Sequence, residues 1–225
     1  MARKRDKRQD DKLQDKKLQD KKSLNRRDFF RSGGAAAGAA VLSTSAMAQR
    51  GAPAPPQPLE PGASQAEVDK VVLAAPESQR NGAMVIKWNP ATWTYTTLRK
   101  GTNSLVCFDK SGLPGQAEPF SIECTMAGNL DRAAQNMKFE AEPDRAKRQA
   151  ALDAAEKDGT RVKPMYGSVW WHLRGADQAT ARGHMTIAVP GATTASTGIP
   201  DNAKQGGVWI MNPGTTTAHL MVPGE

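Results

Sequence analysis

Residues 168–174 read Ser168-Val169-Trp170-Trp171-His172-Leu173-Arg174. The run alternates with a period of two. Val169, Trp171 and Leu173 fall on one side; Trp170, His172 and Arg174 fall on the other. Such alternation among β-branched and aromatic residues predicts a half-buried strand. Its first side is uniformly apolar and belongs to a core. Its second side sets an indole, an imidazole and a guanidinium in a row. That row can line a pocket for an anionic or planar ligand, although an ordinary half-buried sheet face reads the same way.

The signature recurs in both directions from this run. Upstream, residues 83–88 place Met84, Ile86 and Trp88 together, and residues 92–99 alternate around Trp93 and Tyr95. Asn89-Pro90 and Lys100-Gly101-Thr102-Asn103 supply turn chemistry, and residues 104–109 form a third short strand. Downstream, residues 184–189, 207–211 and 218–222 are further short strands, separated by a Gly- and Thr-rich loop at 190–206. Three helices lie among them. Ser64-Gln65-Ala66-Glu67 is a capping-box pattern before Val68, Val71 and Val72. Asn129 precedes Leu130, Ala133, Ala134 and Met137 on one face. Pro143 and Gly159 bracket an Ala-rich helix, with Asp144/Arg148 and Asp153/Lys157 at i,i+4 spacing. Strands, then helices, then strands predict one α+β domain over residues 64–225. Its sheet is largely antiparallel and carries two to three helices.

Charge is distributed unevenly around that domain. The chain has 31 Lys and Arg against 23 Asp and Glu, a net of +8. Residues 1–48 hold 13 of the basic and 6 of the acidic residues, a net of +7. The remainder nets +1, so it offers no electrostatic footprint for nucleic acid. Residues 1–22 are polar, with a tandem Lys-Leu-Gln-Asp-Lys repeat at 12–21. They cannot bury enough apolar surface to offset ordering and are expected to be a solvated tail. Residues 49–63 contain five prolines and read as an extended linker.

Between tail and linker stands Asn25-Arg26-Arg27-Asp28-Phe29-Phe30-Arg31. It resembles the twin-arginine (Tat) translocation motif, with Arg26, Arg27 and Phe29 at the strongest positions. Asn25, Phe30 and Arg31 stand where Ser or Thr, Leu and Lys are usual. An uncharged Gly/Ala-rich run follows at 32–45, and Ala46-Met47-Ala48 gives a small-x-small cleavage site. The run is short and weakly apolar for a stable membrane span; an uncleaved anchor is the other reading. The resemblance implies residues 1–48 as a Tat signal peptide and the Tat translocase and a signal peptidase as partners. It also implies a periplasmic or secreted mature protein with no permanent span. In a chain so addressed, the two cysteines, Cys107 and Cys124, read as a disulfide; two buried thiols are the other reading.

Two patches carry a second resemblance. Leu98-Arg99-Lys100-Gly101-Thr102-Asn103 with Cys107, and Ala218-His219-Leu220-Met221-Val222-Pro223, resemble patches of an uncharacterised family of exported bacterial proteins. The likeness implies a single domain running to the C-terminus and no catalytic residue.

Chemistry is sparsely marked. His172, His184 and His219 all fall on strands, and Met221 shares a face with His219. Imidazole and thioether together suit copper, which makes these four the candidate metal ligands. Neither His-x-x-x-His nor Cys-x-x-Cys spacing for zinc occurs, nor Gly-x-Ser-x-Gly, nor a phosphate-binding glycine loop. Asp109, Glu118 and Glu123, which flank the cysteine loop, read as solvated loop charges. The expectation is an exported, non-catalytic domain that binds a small ligand or a protein, with no cofactor identified. The alternative is an enzyme or metal-handling protein using His172, His184 and His219.

Overall fold

The computed structural model describes residues 55–222. Arg26, Arg27, Phe29, Ala46 and Ala48 lie outside them, so the leader and its cleavage site do too. The period-2 runs become eight strands of one sheet. They are β1 (Met84–Trp88), β2 (Tyr95–Arg99), β3 (Leu105–Asp109), β4 (Phe120–Met126), β5 (Val169–Gly175), β6 (Arg182–Ala188), β7 (Trp209–Met211) and β8 (His219–Met221). Their order is β2-β1-β3-β4-β5-β6-β8-β7. Every neighbouring pair is antiparallel except β1 with β3. Three helices of seven residues or more accompany the sheet: α1 (Gln65–Val71), α2 (Leu130–Glu140) and α3 (Arg145–Lys157). The α+β class with a largely antiparallel sheet is therefore the observed one.

Each sheet face has its own cover. The Ser64 hydroxyl accepts the Glu67 N–H at 3.2 Å and starts α1. Val68 and Val71 then pack on Val85, Leu105, Ile122 and the two cysteines, with Trp171 and Leu173 at the margin. On the opposite face, Ala133 and Met137 of α2 bury against Ile86, Phe108 and Trp170. Each large apolar side chain so enclosed contributes about 1.5–3 kcal/mol. The split confirms the alternation of β5, since Trp170 and Trp171 join different clusters.

Residues 120–126, where the sequence predicts solvated loop charges, form β4 instead. Phe120, Ile122 and Cys124 point to the α1 side; Ser121, Glu123 and Thr125 point to the α2 side, and all six are buried. Glu123 is 4% exposed, not a solvated loop charge. Cys107 lies directly opposite Cys124 across β3 and β4, with the sulfurs at disulfide distance, 2.11 Å. In α3, Asp144 does not pair with Arg148. Its carboxylate caps the helix, accepting the Ala146 and Lys147 N–H groups. Asp153 accepts from Gln149. The proline-rich stretch meets the sheet before its end: Leu59 bridges to Arg99, and the Glu60 N–H donates to the Leu98 carbonyl. The loop at 190–206 contains a fourth, short helix, α4 (Thr194–Thr197), opened by a Thr193/Ser196 capping box.

Candidate functional site

Strand register builds the site. Glu123 of β4 lies opposite His172 of β5, and His172 lies opposite His184 of β6. Directly opposed residues share a sheet face, so the three form one row across the α2 side. Further along β6, Thr186 pairs with Met221, and Ala188 pairs with His219. The sequence candidates Trp170, His172, Arg174, His184, His219 and Met221 thereby converge on a single cleft of about 270 Å3. Arg132, Asn136 and Glu140 of α2, spaced i, i+4, i+8, overlook it.

A buried charge cluster underlies the cleft. Oε2 of Glu123 receives Lys110 Nζ at 3.5 Å, His172 Nδ1 at 3.1 Å and Arg174 Nη2 at 3.5 Å. Lys110, itself 3% exposed, also reaches Glu140 at 3.0 Å, and Gln116 donates to the same Glu140 oxygen at 2.8 Å. That second contact needs a close approach of chain to helix. Gly115 lies at φ +79°, and a Cβ there would stand 1.9 Å from the Glu140 carbonyl oxygen. Burial alone would raise the Glu123 pKa. Lys110, His172 and Arg174 outweigh it and hold the carboxyl well below the usual carboxylate range. Burial likewise pulls Lys110 down, and Glu123 and Glu140 outweigh it, so its ammonium is raised. Both groups are charged at neutral pH.

His172 Nδ1 lies 3.1 Å from Glu123 Oε2, which only accepts, and 3.0 Å from Arg174 Nη2, which only donates, so these contacts hold the ring in place without fixing its tautomer. His219 is set more simply: its Nδ1 stands 2.7 Å from the Thr217 carbonyl, which only accepts, so Nδ1 carries the proton and Nε2 keeps its lone pair. Thr217 is itself held by Arg132, which donates to its hydroxyl at 2.7 Å and to that of Thr216 at 3.1 Å. Glu156 of α3 closes the network by accepting the Thr216 N–H at 3.0 Å. Burial lowers the His184 pKa, helped by His172, Arg174 and His219. Burial also lowers that of His219, with His172 and Arg132 adding to it and the Thr217 carbonyl opposing.

The three histidines share a cleft but not a coordination sphere. Ala188, the partner of His219, is four residues beyond His184 on β6, about 13 Å at the usual rise of a strand. The His172 and His184 rings lie stacked, with centroids 6.0 Å apart. Among the described residues, no three His, Cys, Asp or Glu side chains are grouped to hold a metal ion. The cleft instead suits a ligand several atoms long, with imidazoles at both ends. Sequence reasoning missed Glu123 and Lys110, the pair that supports it. No family model, curated protein or solved structure matches this chain.

Proposed function

We propose that this is an exported protein, routed by its twin-arginine leader, that binds a small ligand in the histidine cleft without transforming it. One observation carries the binding reading. Side chains from five strands and α2 converge on one cleft whose polar groups are fixed from below by buried partners. Such preorganisation is what a binding site needs. The His172–Glu123 pair also favours a second reading, general-base catalysis, because a carboxylate beside an imidazole stabilises the protonated ring that proton abstraction forms. That reading needs a water or a substrate proton within reach of the ring, and it predicts turnover where the binding reading predicts retention of an unchanged molecule.

The test of binding uses protein isolated without denaturation from the compartment where it accumulates. Mass spectrometry is expected to find a stoichiometric small molecule. Its removal should expose His184 to diethyl pyrocarbonate. Stoichiometric copper or zinc by elemental analysis would overturn this reading in favour of metal handling. Export has its own test. Arg26→Lys with Arg27→Lys should leave unprocessed precursor in the cytoplasm, because the motif's paired guanidiniums are lost. Undiminished processing would argue for a different route.

A further inference from the structure

Strands β5 and β6 set basic side chains against each other. His172 lies opposite His184, and Arg174 lies opposite Arg182. Like charges directly opposed across a sheet repel and weaken it. An acid at 182 or 184 would relieve this, and neither position has one. Glu123, the carboxylate next in the row, is buried and already shared among Lys110, His172 and Arg174. Arg174 remains 43% exposed, and Arg182 is exposed as well. A sheet that keeps four basic groups together, with Glu123 saturated and the Glu140 carboxylate of α2 engaged by Lys110 and Gln116, has positive potential to offer a ligand.

The tautomer of His219 adds a constraint. Its Nδ1 proton is committed to the Thr217 carbonyl. Its Nε2 can donate to an anion only after gaining a proton. His184 makes no such internal commitment among the described residues. From β5 it is faced by His172 and Arg174, and from β4, beyond His172, by Glu123. Arg182 flanks it on its own strand. His219 approaches from β8, and Arg132 and Glu140 line the cleft from α2.

We propose that the cleft binds the oxyanion group of a small molecule, a carboxylate or a phosphate, between Arg174, Arg182 and His184, and that binding takes up a proton on an imidazole. The rest of the molecule lies along Trp170, Thr186 and Met221 toward His219. This rests on the ligand-binding reading and names the class of ligand. The positive neighbours that depress His184 in the free protein are the ones an oxyanion would neutralise. Its pKa therefore rises on binding, and affinity falls as pH rises above the free imidazole's value.

Calorimetry on the purified full chain decides the matter, with inorganic phosphate and malonate as separate anionic probes. A neutral sugar and Zn2+ are titrated in parallel. At least one anion is expected to bind roughly tenfold more tightly at about pH 6 than at about pH 7.5, with a buffer-dependent heat that reports proton uptake. Which anion binds tells carboxylate from phosphate. Arg182→Gln, a surface change, should weaken that binding roughly tenfold, and Arg174→Gln at least as much. Binding that ignores pH or Arg182→Gln overturns the inference. Heat from the sugar alone overturns it while leaving a ligand site in place; heat from Zn2+ alone overturns both in favour of metal handling. Silence from all four probes overturns both.

Discussion

Lys110→Met is expected to cost about 3–5 kcal/mol of folding stability, measured by urea unfolding at neutral pH. Lys110 and Glu123 are 3% and 4% exposed. Removing the ammonium leaves a carboxylate that water cannot reach, with only His172 and Arg174 beside it. Adding Glu123→Leu to that variant should recover most of the loss, since the unpaired buried charge is the larger part of the penalty. A loss below about 1 kcal/mol would show that the pair is not buried in solution. The pH dependence follows from the directions of shift. The folded pKa of Glu123 lies below its unfolded value. Its contribution is therefore present above the unfolded value of about 4.3 and is lost as pH falls through the folded one. Lys110 is raised. Its contribution is complete below its unfolded value of about 10.4 and is lost as pH rises through the folded one. In Lys110→Met the acid limb should move to higher pH, because Glu123 has lost its closest buried cation.

The second large effect belongs to the cysteines. Cys107→Ala with Cys124→Ala should cost about 3 kcal/mol, from the chain-entropy model for a closed loop of this length; the residues are 17 apart in sequence. For a domain of this size that lowers Tm by roughly 6–12 °C. Mass analysis under non-reducing conditions should show the wild type two hydrogens lighter than its fully reduced form. Two free thiols in correctly localised protein would sink the claim.

The strand of the opening stretch was legible because its two faces differ in polarity. Val169, Trp171 and Leu173 announce a core, and Trp170, His172 and Arg174 announce something else. β4 has the same period, Phe120/Ile122/Cys124 against Ser121/Glu123/Thr125, yet it was read as loop. Its polar side is buried, and a buried polar side looks in sequence like a solvated one. What distinguishes them is the set of partners. Lys110 lies 13 residues from Glu123, and the Asn129 amide donates to the hydroxyls of Thr125 and Ser168, both at 2.9 Å. Such partners are fixed by packing, not by spacing. The histidines illustrate the same limit. Each was visible as a candidate, but their meeting in one cleft depends on β6 pairing with β8 out of sequence order. That register also sets the partner of His219, Ala188, four residues along β6 from His184.

The placing of the disulfide orders events in the life of the chain. Both cysteines are 0% exposed, and Val68 and Val71 of α1 lie over them. Thiol–disulfide exchange needs a thiolate to attack a sulfur directly, so no oxidant can act once α1 is seated. A chain that crosses a membrane already folded, as the proposed route requires, leaves a reducing compartment with its thiols sealed. On that proposed route, oxidation would wait on α1 lifting from the sheet. The helix would then act as a timer: how often it opens would set how quickly newly delivered molecules harden, and until then the domain would stand on packing alone.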